Sequence, residues 1–369
     1  MEKGGKMVID EIVRLTTELV KVSSVKGRGR MKEVLEVVER YLRRFEGIGR
    51  EEFEHNGVPS VLYFNRKTRP EKFRLLLNGH VDVVVAPEKL FEPRLEGDKL
   101  YGRGAMDMKG GVAAGVVAFA ELVGKVNYPL GLQLTADEEV GGFDGVKWQL
   151  EEGVRSEFTI ALEPTQLNVA VAAKGVLWVE VEAKGKSAHG AYPWLGDNAV
   201  VKLMRFLEEV LQTFPVPEGD DKWKTTCNLA YIKTENETTN KVPDTARARL
   251  DVRYVPADKE EVWKKIEMLA EKYPGVVVSK IMLESNHYVD PERKEVKLLT
   301  EVIEKVSGRK PKLIKNNGAS DVRHFTSQGM AGVEFGAVGE GMHEEGEWVS
   351  VKSLGQVVEV LTRFGMMLE

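Results

Sequence analysis

Apolar residues recur with two different spacings in the outer parts of the chain. Stretches 8–20 and 31–45 place them three and four positions apart, which predicts amphipathic helices. Short runs that are apolar at nearly every position predict strands buried on both faces. The predicted strands are 73–80, 130–136, 158–162 and 332–338, and further helices are 110–123 and 354–364. Strands alternating with helices predict a largely parallel α/β sheet that is covered on both faces.

The middle of the chain follows a different order of elements. It predicts strand 176–183, helix 198–214 capped by Asp197 or Asn198, strands 227–233 and 246–255, helix 258–273 and strand 276–283. This β-α-β-β-α-β order is the ferredoxin-like arrangement. We therefore predict an inserted α+β domain, residues 174–286, within a discontinuous first domain made of residues 1–173 and 287–369.

Composition and charge exclude several classes of protein. The chain has 369 residues, with 53 Lys+Arg and 58 Asp+Glu, so its net charge is −5. No basic patch is apparent, so we expect neither a nucleic-acid partner nor an anionic membrane surface. The single cysteine, Cys227, excludes an intrachain disulfide and a cysteine zinc cluster. The longest apolar stretch, 112–120, is shorter than the ~20 residues of a spanning helix, and we predict a cytoplasmic protein.

A histidine and a carboxylate stand two positions apart at the end of the first buried strand. His80 and Asp82 therefore point to the same face. A metal-bound histidine commonly has a carboxylate at its other ring nitrogen. The pair thus fits a metal ligand with its supporting residue, and the alternative is two solvent-facing residues at a strand end.

A glycine-rich segment, 101–111, lies just before helix 110–123. It carries Asp107 and matches neither phosphate-loop spacing, G-x-G-x-x-G or G-x-x-x-x-G-K-[ST]. An Asp before a helix is also a favoured N-cap. Asp107 is therefore either a cap or a carboxylate held so that both of its oxygens reach metal ions.

Further acidic and histidine residues follow the other predicted strands. Three consecutive acids, Asp137, Glu138 and Glu139, follow strand 130–136, where buried charge is unfavourable unless it is solvated or bound to metal. Glu163 follows the next strand, and His343 follows the last strand. Taken singly, each fits an ordinary strand end or a solvated loop. Together they lie where ligands bind in open α/β sheets, and two histidines with three carboxylates suit two divalent metal ions.

Four motifs, in this order and spacing, resemble one enzyme family. They are GHVDVV, YGRGAMDMKGG, TADEEVGG and ALEPT, beginning at residues 79, 101, 135 and 161. They are similar to the co-catalytic di-metal peptidase and deacylase family, which includes succinyl-diaminopimelate desuccinylase, acetylornithine deacetylase, aminoacylase and glutamate carboxypeptidase. The resemblance spans nearly the whole chain. It implies a zinc-peptidase-like catalytic domain with a mixed, largely parallel sheet and an inserted ferredoxin-like lid domain.

The resemblance implies a role for each residue at the strand ends. Two divalent metal ions are implied, zinc in preference to cobalt or manganese. The implied roles are Asp107 as the bridging ligand, His80 and Glu163 at one ion, Glu139 and His343 at the other, Glu138 as the general base for a metal-bridging water, and Asp82 as support for His80. His55, His287 and His324 match no metal position, and we interpret them as structural or surface residues.

The resemblance also implies roles for residues of the middle and late segments. In dimeric members of the family, a lid histidine reaches the partner's active site and stabilises the tetrahedral oxyanion, and His189 matches it. A homodimer through the lid is therefore implied. Asn240 and Arg253 match residues that recognise a substrate carboxylate, and Gly318 and Ser320 match a further substrate-binding stretch. That stretch departs from the family pattern, because Asn317 and Ala319 replace a glycine and a threonine. A second departure is Gly346 in place of an asparagine before Glu347.

The resemblance implies hydrolysis of an amide bond of an N-acyl amino acid, by a desuccinylase- or deacetylase-like reaction. A dipeptidase or carboxypeptidase of the same family is the alternative, which makes a short peptide the other substrate class. Two further hypotheses stay open at this point. The chain could keep the fold as a binding protein without catalysis, or it could be an unrelated nucleotide-binding α/β enzyme.

Overall fold

Helices form in each stretch where the sequence predicts them, with adjusted ends. The computed structural model describes residues 2–27 and 29–368. Its helices are α1 Glu2–Val20, α2 Met31–Leu42, α3 Gly110–Leu122, α4 Trp148–Glu151, α5 Ala199–Thr213, α6 Val262–Glu271, α7 Lys294–Ser307, α8 Val322–Ser327 and α9 Val351–Met367. α2 is shorter than predicted, and α6 begins four residues later than predicted. Of the helices in the described part of the chain, none is long and apolar enough to cross a membrane.

The strands of the described residues form three sheets. They are β1 Gly49–His55, β2 Val58–Phe64, β3 Leu75–His80, β4 Arg94–Glu96, β5 Lys99–Tyr101, β6 Leu130–Thr135, β7 Phe158–Ala161, β8 Val169–Ala173, β9 Gly175–Lys184, β10 Thr226–Lys233, β11 Thr245–Tyr254, β12 Val276–Glu284, β13 His287–Tyr288, β14 Leu313–Asn316, β15 Ala331–Glu334, β16 Gly339–Glu340 and β17 Trp348–Ser350. Four short strands form a sheet in the order β16-β17-β5-β4. Its pairing brings residues near 100 next to residues near 348.

The main sheet is mixed, as predicted, with parallel strands at its centre. Its order is β1-β2-β6-β3-β7-β15-β8-β13, and β14 pairs with β8. β3 runs parallel to β6 and β7, and β15 runs parallel to β7. The antiparallel pairings include β1–β2, a hairpin that no pattern in the sequence predicted, β2–β6, and the single β15–β8 pairing. Because β3, β6 and β7 are parallel, their carboxyl ends meet at one edge.

Helices cover this sheet on both faces, as buried apolar strands require. The larger cluster of buried side chains comes from α1, α2, α3, α7 and α9 together with the strands. A smaller cluster on the other face includes Val146, Leu150 and Phe325. α3 approaches the sheet closely at Gly111, where a Cβ would lie 2.2 Å from the carbonyl oxygen of Leu162. This approach places the start of α3 against the end of β7.

The chain divides into two compact units. The first consists of Met1–Val171, Tyr288–Ile314 and Ser320–Glu369, and the second of Ala172–His287 and Lys315–Ala319. Residues 315–319 therefore group with the second unit, whereas the sequence placed them in the first domain. The chain returns to the second unit for this short segment after α7, and no local pattern marks such a return.

The second unit contains the predicted β-α-β-β-α-β series. Its antiparallel sheet has the order β10-β11-β9-β12, and its core is formed by the buried faces of α5, α6 and the strands. Asn198 caps α5, because its side-chain oxygen accepts the N–H groups of Val200 and Val201 at 3.0 and 3.1 Å. Of the two caps the sequence offered, Asn198 is the one that forms.

Candidate metal centre

His80 ends β3 with its side chain almost fully buried. Its Nε2 lies 3.2 Å from Oδ1 of Asp107 and 3.9 Å from Oε1 of Glu163. Its Nδ1 lies 3.1 Å from the carbonyl oxygen of Asp82 and 3.4 Å from that residue's carboxylate. Donation from Nδ1–H to Asp82 leaves the Nε2 lone pair facing the carboxylates, which is the orientation a metal ligand needs.

Asp107 presents one carboxylate oxygen to each of two histidines. Oδ1 faces His80, and Oδ2 lies 3.2 Å from Nε2 of His343. That same nitrogen lies 3.3 Å from Oε2 of Glu139. In the described part of the chain, two groups can thus each hold an ion, His80-Asp107-Glu163 and Asp107-Glu139-His343, with ligand atoms within 4.8 Å of one another in each group. Asp107 belongs to both groups, as a bridging ligand must.

The conformation of Asp107 also decides against the helix-cap alternative. α3 begins after Lys109, and the Asp107 backbone, at φ −118° and ψ 95°, is not helical. Its side-chain contacts are with the histidines and not with the first N–H groups of α3.

The charges of the site match divalent cations. Burial raises the pKa of Glu163 well above its usual range and also raises the pKa of Glu139, because charged carboxylates are poorly solvated there. Burial opposes a charge on His80, yet its hydrogen bonds to Asp107 and Asp82 raise its pKa well above the usual value. Nitrogen and oxygen donors with this excess of negative charge fit zinc, cobalt or manganese and do not select among them.

Glu138 and Glu139 lie on a short turn after β6 that Asp82 holds in place. The backbone N–H of Glu138 donates to Oδ1 of Asp82 at 3.2 Å, and that of Glu139 donates to Oδ2 at 3.0 Å. Asp82 therefore connects His80 to the acidic turn as well as orienting its ring. Burial, with Asp321 and Asp107 nearby, raises the pKa of the Glu138 carboxyl well above its usual range.

Two side chains of α8 hold the far end of the acidic turn. The sequence did not predict these contacts. Arg323 Nη2 donates to the carbonyl oxygen of Gly141 at 2.7 Å, and His324 Nε2 lies 2.9 Å from the same oxygen. Burial lowers the pKa of His324 to about 3. Its interpretation as a structural residue agrees with these contacts.

His287 and His55 also lie outside the two ligand groups. His287 is fully buried at the start of β13. His55 is partly exposed, with Nδ1 2.9 Å from Oδ1 of Asp144 and its ring stacked on Trp148 at 3.9 Å. These contacts fasten the tip of the β1–β2 hairpin to the segment after the acidic turn.

His189 lies on an exposed loop of the second unit. Its Nδ1 accepts the backbone N–H of Ala191 at 3.0 Å. In the neutral ring the proton is then on Nε2, which makes that nitrogen a hydrogen-bond donor. The carbonyl oxygen of Asn240 accepts the N–H of Gly190 at 2.6 Å, so the segments around His189 and Asn240 are held side by side.

The other predicted substrate-binding residues differ in how accessible they are. Arg253, in the second unit, already binds the Asp251 carboxylate through two of its nitrogens at 2.8 and 3.1 Å. Gly318, in the same unit, has open space where a Cβ would lie. Ser320, in the first unit, is buried, with its hydroxyl 2.5 Å from the Glu334 carboxylate.

Comparison with known proteins identifies the family of this chain. The sequence pattern of peptidase family M20/M25/M40 matches residues 76–366, so the chain belongs to that family. Succinyl-diaminopimelate desuccinylase of Beijerinckia indica is 31% identical over 336 residues, which cover 84% of this chain and 86% of the relative.

Solved structures have the same fold. Aminopeptidase PepT of Bacillus cereus covers 97% of this chain and 98% of its own, with a TM-score of 0.80 and 20% identity. A dinuclear metal binding peptidase of family M20 from Bacillus subtilis covers 98% of both chains, with a TM-score of 0.71 and 12% identity. The chain is a metal-dependent hydrolytic enzyme that acts on amide bonds. This result excludes the nucleotide-binding alternative.

Proposed function

We propose that the enzyme hydrolyses the amide bond of an N-acyl amino acid, with desuccinylase- or deacetylase-like chemistry. The observation that carries the proposal is the Asp107 carboxylate, whose two oxygens each face a separate His-carboxylate group. The acyl class rests on the 31% identity to a succinyl-diaminopimelate desuccinylase. The peptidase alternative stays an outcome of the test.

Two divalent ions fit the ligand groups, and we propose zinc as the native metal, with cobalt or manganese as substitutes. Asp107 would hold both ions, His80 and Glu163 would complete one set, and Glu139 and His343 the other. Bound there, the ions would polarise the scissile carbonyl and lower the pKa of a water molecule. The rest of the chemistry falls to the side chains around them.

Glu138 is the proposed proton carrier. It takes a proton from the attacking water and later delivers it to the leaving amine. Asp82 keeps Glu138 in place through its backbone N–H and keeps the His80 ring oriented. The Nε2–H of His189 is the proposed hydrogen-bond donor to the oxyanion. Such a donor stabilises the transition state when it is held in position in advance.

Arg253 and Asn240 are the proposed contacts for the substrate carboxylate, and Gly318 and Ser320 are proposed as further substrate-binding residues near it. A guanidinium matches a carboxylate through two parallel hydrogen bonds. Asp251 already provides such a partner. A substrate carboxylate therefore has to displace Asp251 or share the guanidinium with it.

We propose a homodimer formed through the second unit. β10 is the edge strand of its sheet. An apolar groove beside it is lined by Met204, Leu211, Leu229 and Ile232, among others, and Met204 and Ile232 are exposed. An unpaired edge with an adjacent apolar groove supports self-association. Light scattering should give twice the chain mass, and a Met204→Glu variant should be monomeric.

Substrate screening and one pair of variants test the proposal. The metal-loaded enzyme is assayed with N-succinyl and N-acetyl amino acids and with dipeptides, each with Zn²⁺, Co²⁺ or Mn²⁺. Preference for dipeptides would replace the deacylase assignment by the peptidase one. Glu138→Gln should bind both ions yet lose about 10²- to 10⁴-fold in kcat. Glu139→Gln is the matched variant, which should bind metal more weakly. Near-normal turnover of Glu138→Gln would refute its assignment.

A further inference from the structure

A buried glutamate outside the two ligand groups holds the backbone on which Asp107 lies. Glu347 is 2% exposed. We infer that it is a positioning residue, which sets the place of Asp107 between the two ion sites. The inference rests on the proposed function, because it takes Asp107 and His343 as metal ligands.

Both oxygens of the Glu347 carboxylate are used by the glycine-rich loop. Oε1 accepts the backbone N–H of Met106 at 2.9 Å and that of Asp107 itself at 3.1 Å. Oε2 accepts the N–H of Gly104 at 3.0 Å and Nη1 of Arg103 at 2.6 Å. Three N–H groups converge on one anion, which is the arrangement of a backbone anion nest, here filled by a side chain of the same protein.

The same glutamate belongs to the segment that carries His343. Its carbonyl oxygen accepts the N–H of Gly102 at 3.1 Å, and Arg103 Nη2 donates to the carbonyl oxygen of Glu344 at 3.2 Å. β17, which begins at the next residue, pairs with β5. Glu347 thus fastens the His343 segment to the loop of Asp107. The 3.2 Å separation between His343 Nε2 and Asp107 Oδ2 depends on this connection.

The two ion sites should depend on Glu347 to different degrees. His80 and Glu163 lie at the ends of strands β3 and β7, which the main sheet fixes independently. His343 and Asp107 are both on irregular segments joined through Glu347. In Glu347→Gln an NH₂ group replaces one acceptor oxygen and faces backbone donors. The loop must then shift, and the Asp107-Glu139-His343 site should weaken more than the other.

Metal titration of the purified full-length protein tests the inference. Zn²⁺ affinity of the metal-free protein is measured by competition with a chromophoric chelator, and the visible spectrum of the Co²⁺-loaded protein reports ligand geometry. The variants are Glu347→Gln, Glu347→Asp and, as control, Glu345→Gln, whose exposed carboxylate pairs with Lys89 at 2.8 Å. Glu347→Gln should weaken one of the two binding steps about 10- to 100-fold and change the Co²⁺ spectrum. The control should match the wild type.

The outcomes separate this inference from the proposed function. Fewer than two ions bound by the wild type would refute the proposed function. Two ions bound by the wild type, with unchanged affinities and Co²⁺ spectrum in Glu347→Gln, would refute the positioning role alone, even if that variant melts at a lower temperature. If Glu347→Gln does not fold, Glu347→Asp decides in the same way, because it keeps the charge but shortens the side chain.

Discussion

The Asp82→Asn substitution tests how far the supporting residues, and not only the ligands, determine metal affinity. Asp82 is 2% exposed. One oxygen accepts the N–H of Glu138 and the other that of Glu139, at 3.2 and 3.0 Å. Asparagine keeps a single acceptor oxygen, so its NH₂ group must face one of these two donors. One hydrogen bond to a buried charge is lost, and the acidic turn moves.

The loss of metal affinity can be calculated from the one hydrogen bond that the substitution removes. A hydrogen bond to a charged group contributes about 1.5–3 kcal/mol. That free energy corresponds to roughly a 10- to 100-fold change in an equilibrium constant. Substitution of residues that orient metal ligands costs about the same factor in affinity. Glu139 must return to its place before it can bind an ion, so we expect the cost to appear as a 10- to 100-fold weaker metal affinity.

Isothermal titration of the metal-free protein with Zn²⁺ measures this affinity directly, and turnover at saturating metal is recorded beside it. Asp98→Asn is the matched control, because the Asp98 carboxylate also accepts two hydrogen bonds, from the Ser350 hydroxyl at 2.6 Å and the Lys352 N–H at 2.7 Å, but at the start of α9. Unchanged affinity in Asp82→Asn, or an equal loss in Asp98→Asn, would refute the reasoning.

Three further predictions concern stability. Gly111→Ala should lose about 1–3 kcal/mol in urea unfolding, since its Cβ would lie 2.2 Å from the Leu162 carbonyl oxygen, whereas Gly346→Ala, with open space, should match the wild type; equal stabilities would contradict this. Asn198→Ala should cost about 1 kcal/mol through the lost cap of α5, and an unchanged midpoint would contradict it. His324 has its pKa lowered by burial to about 3, from a usual 6.5, so the unfolded state binds the proton more readily. The contribution of His324 to the free energy of unfolding is complete above pH 6.5 and falls by about 1.4 kcal/mol per pH unit below it. Between pH 7 and 5 the wild type should therefore lose about 2 kcal/mol more in its free energy of unfolding than His324→Gln does. Equal losses in the two proteins would contradict this prediction.

The candidate ligands could be found from the sequence because strand ends are easy to locate. β3 and β7 are short strands buried at every position; His80 is the last residue of β3, and Glu163 lies two residues after the end of β7. Parallel strands bring such residues to one edge of the sheet. The cap at Asn198 was equally local, because it needs only one side chain and the next turn of backbone. The type of element in these regions follows from the spacing of apolar residues a few positions apart.

The remaining features depend on contacts between distant segments. β1 has an alternating, half-exposed pattern of charged residues, so its place beside β2 follows from pairing and not from hydrophobicity. Arg323 and Glu347 contact backbone groups 182 and 243 residues earlier in the chain, at Gly141 and Gly104. No spacing rule connects residues so far apart. α7 was not predicted from the sequence either, but for another reason: its apolar residues do have a helical period that could have been recognised.

The charge of the site explains why the supporting contacts are so numerous. Asp107, Glu138, Glu139 and Glu163 converge with only two histidines to balance them, and burial raises the pKa of three of these four carboxyls. Such a cluster opposes its own assembly in the absence of cations. Hydrogen bonds from backbone N–H groups to Asp82 and Glu347 hold the acidic turn and the Asp107 loop in place without adding a ligand. A cation that binds only the native state then stabilises it by RT ln(1 + [M]/Kd), so metal affinity and folding stability are parts of the same equilibrium.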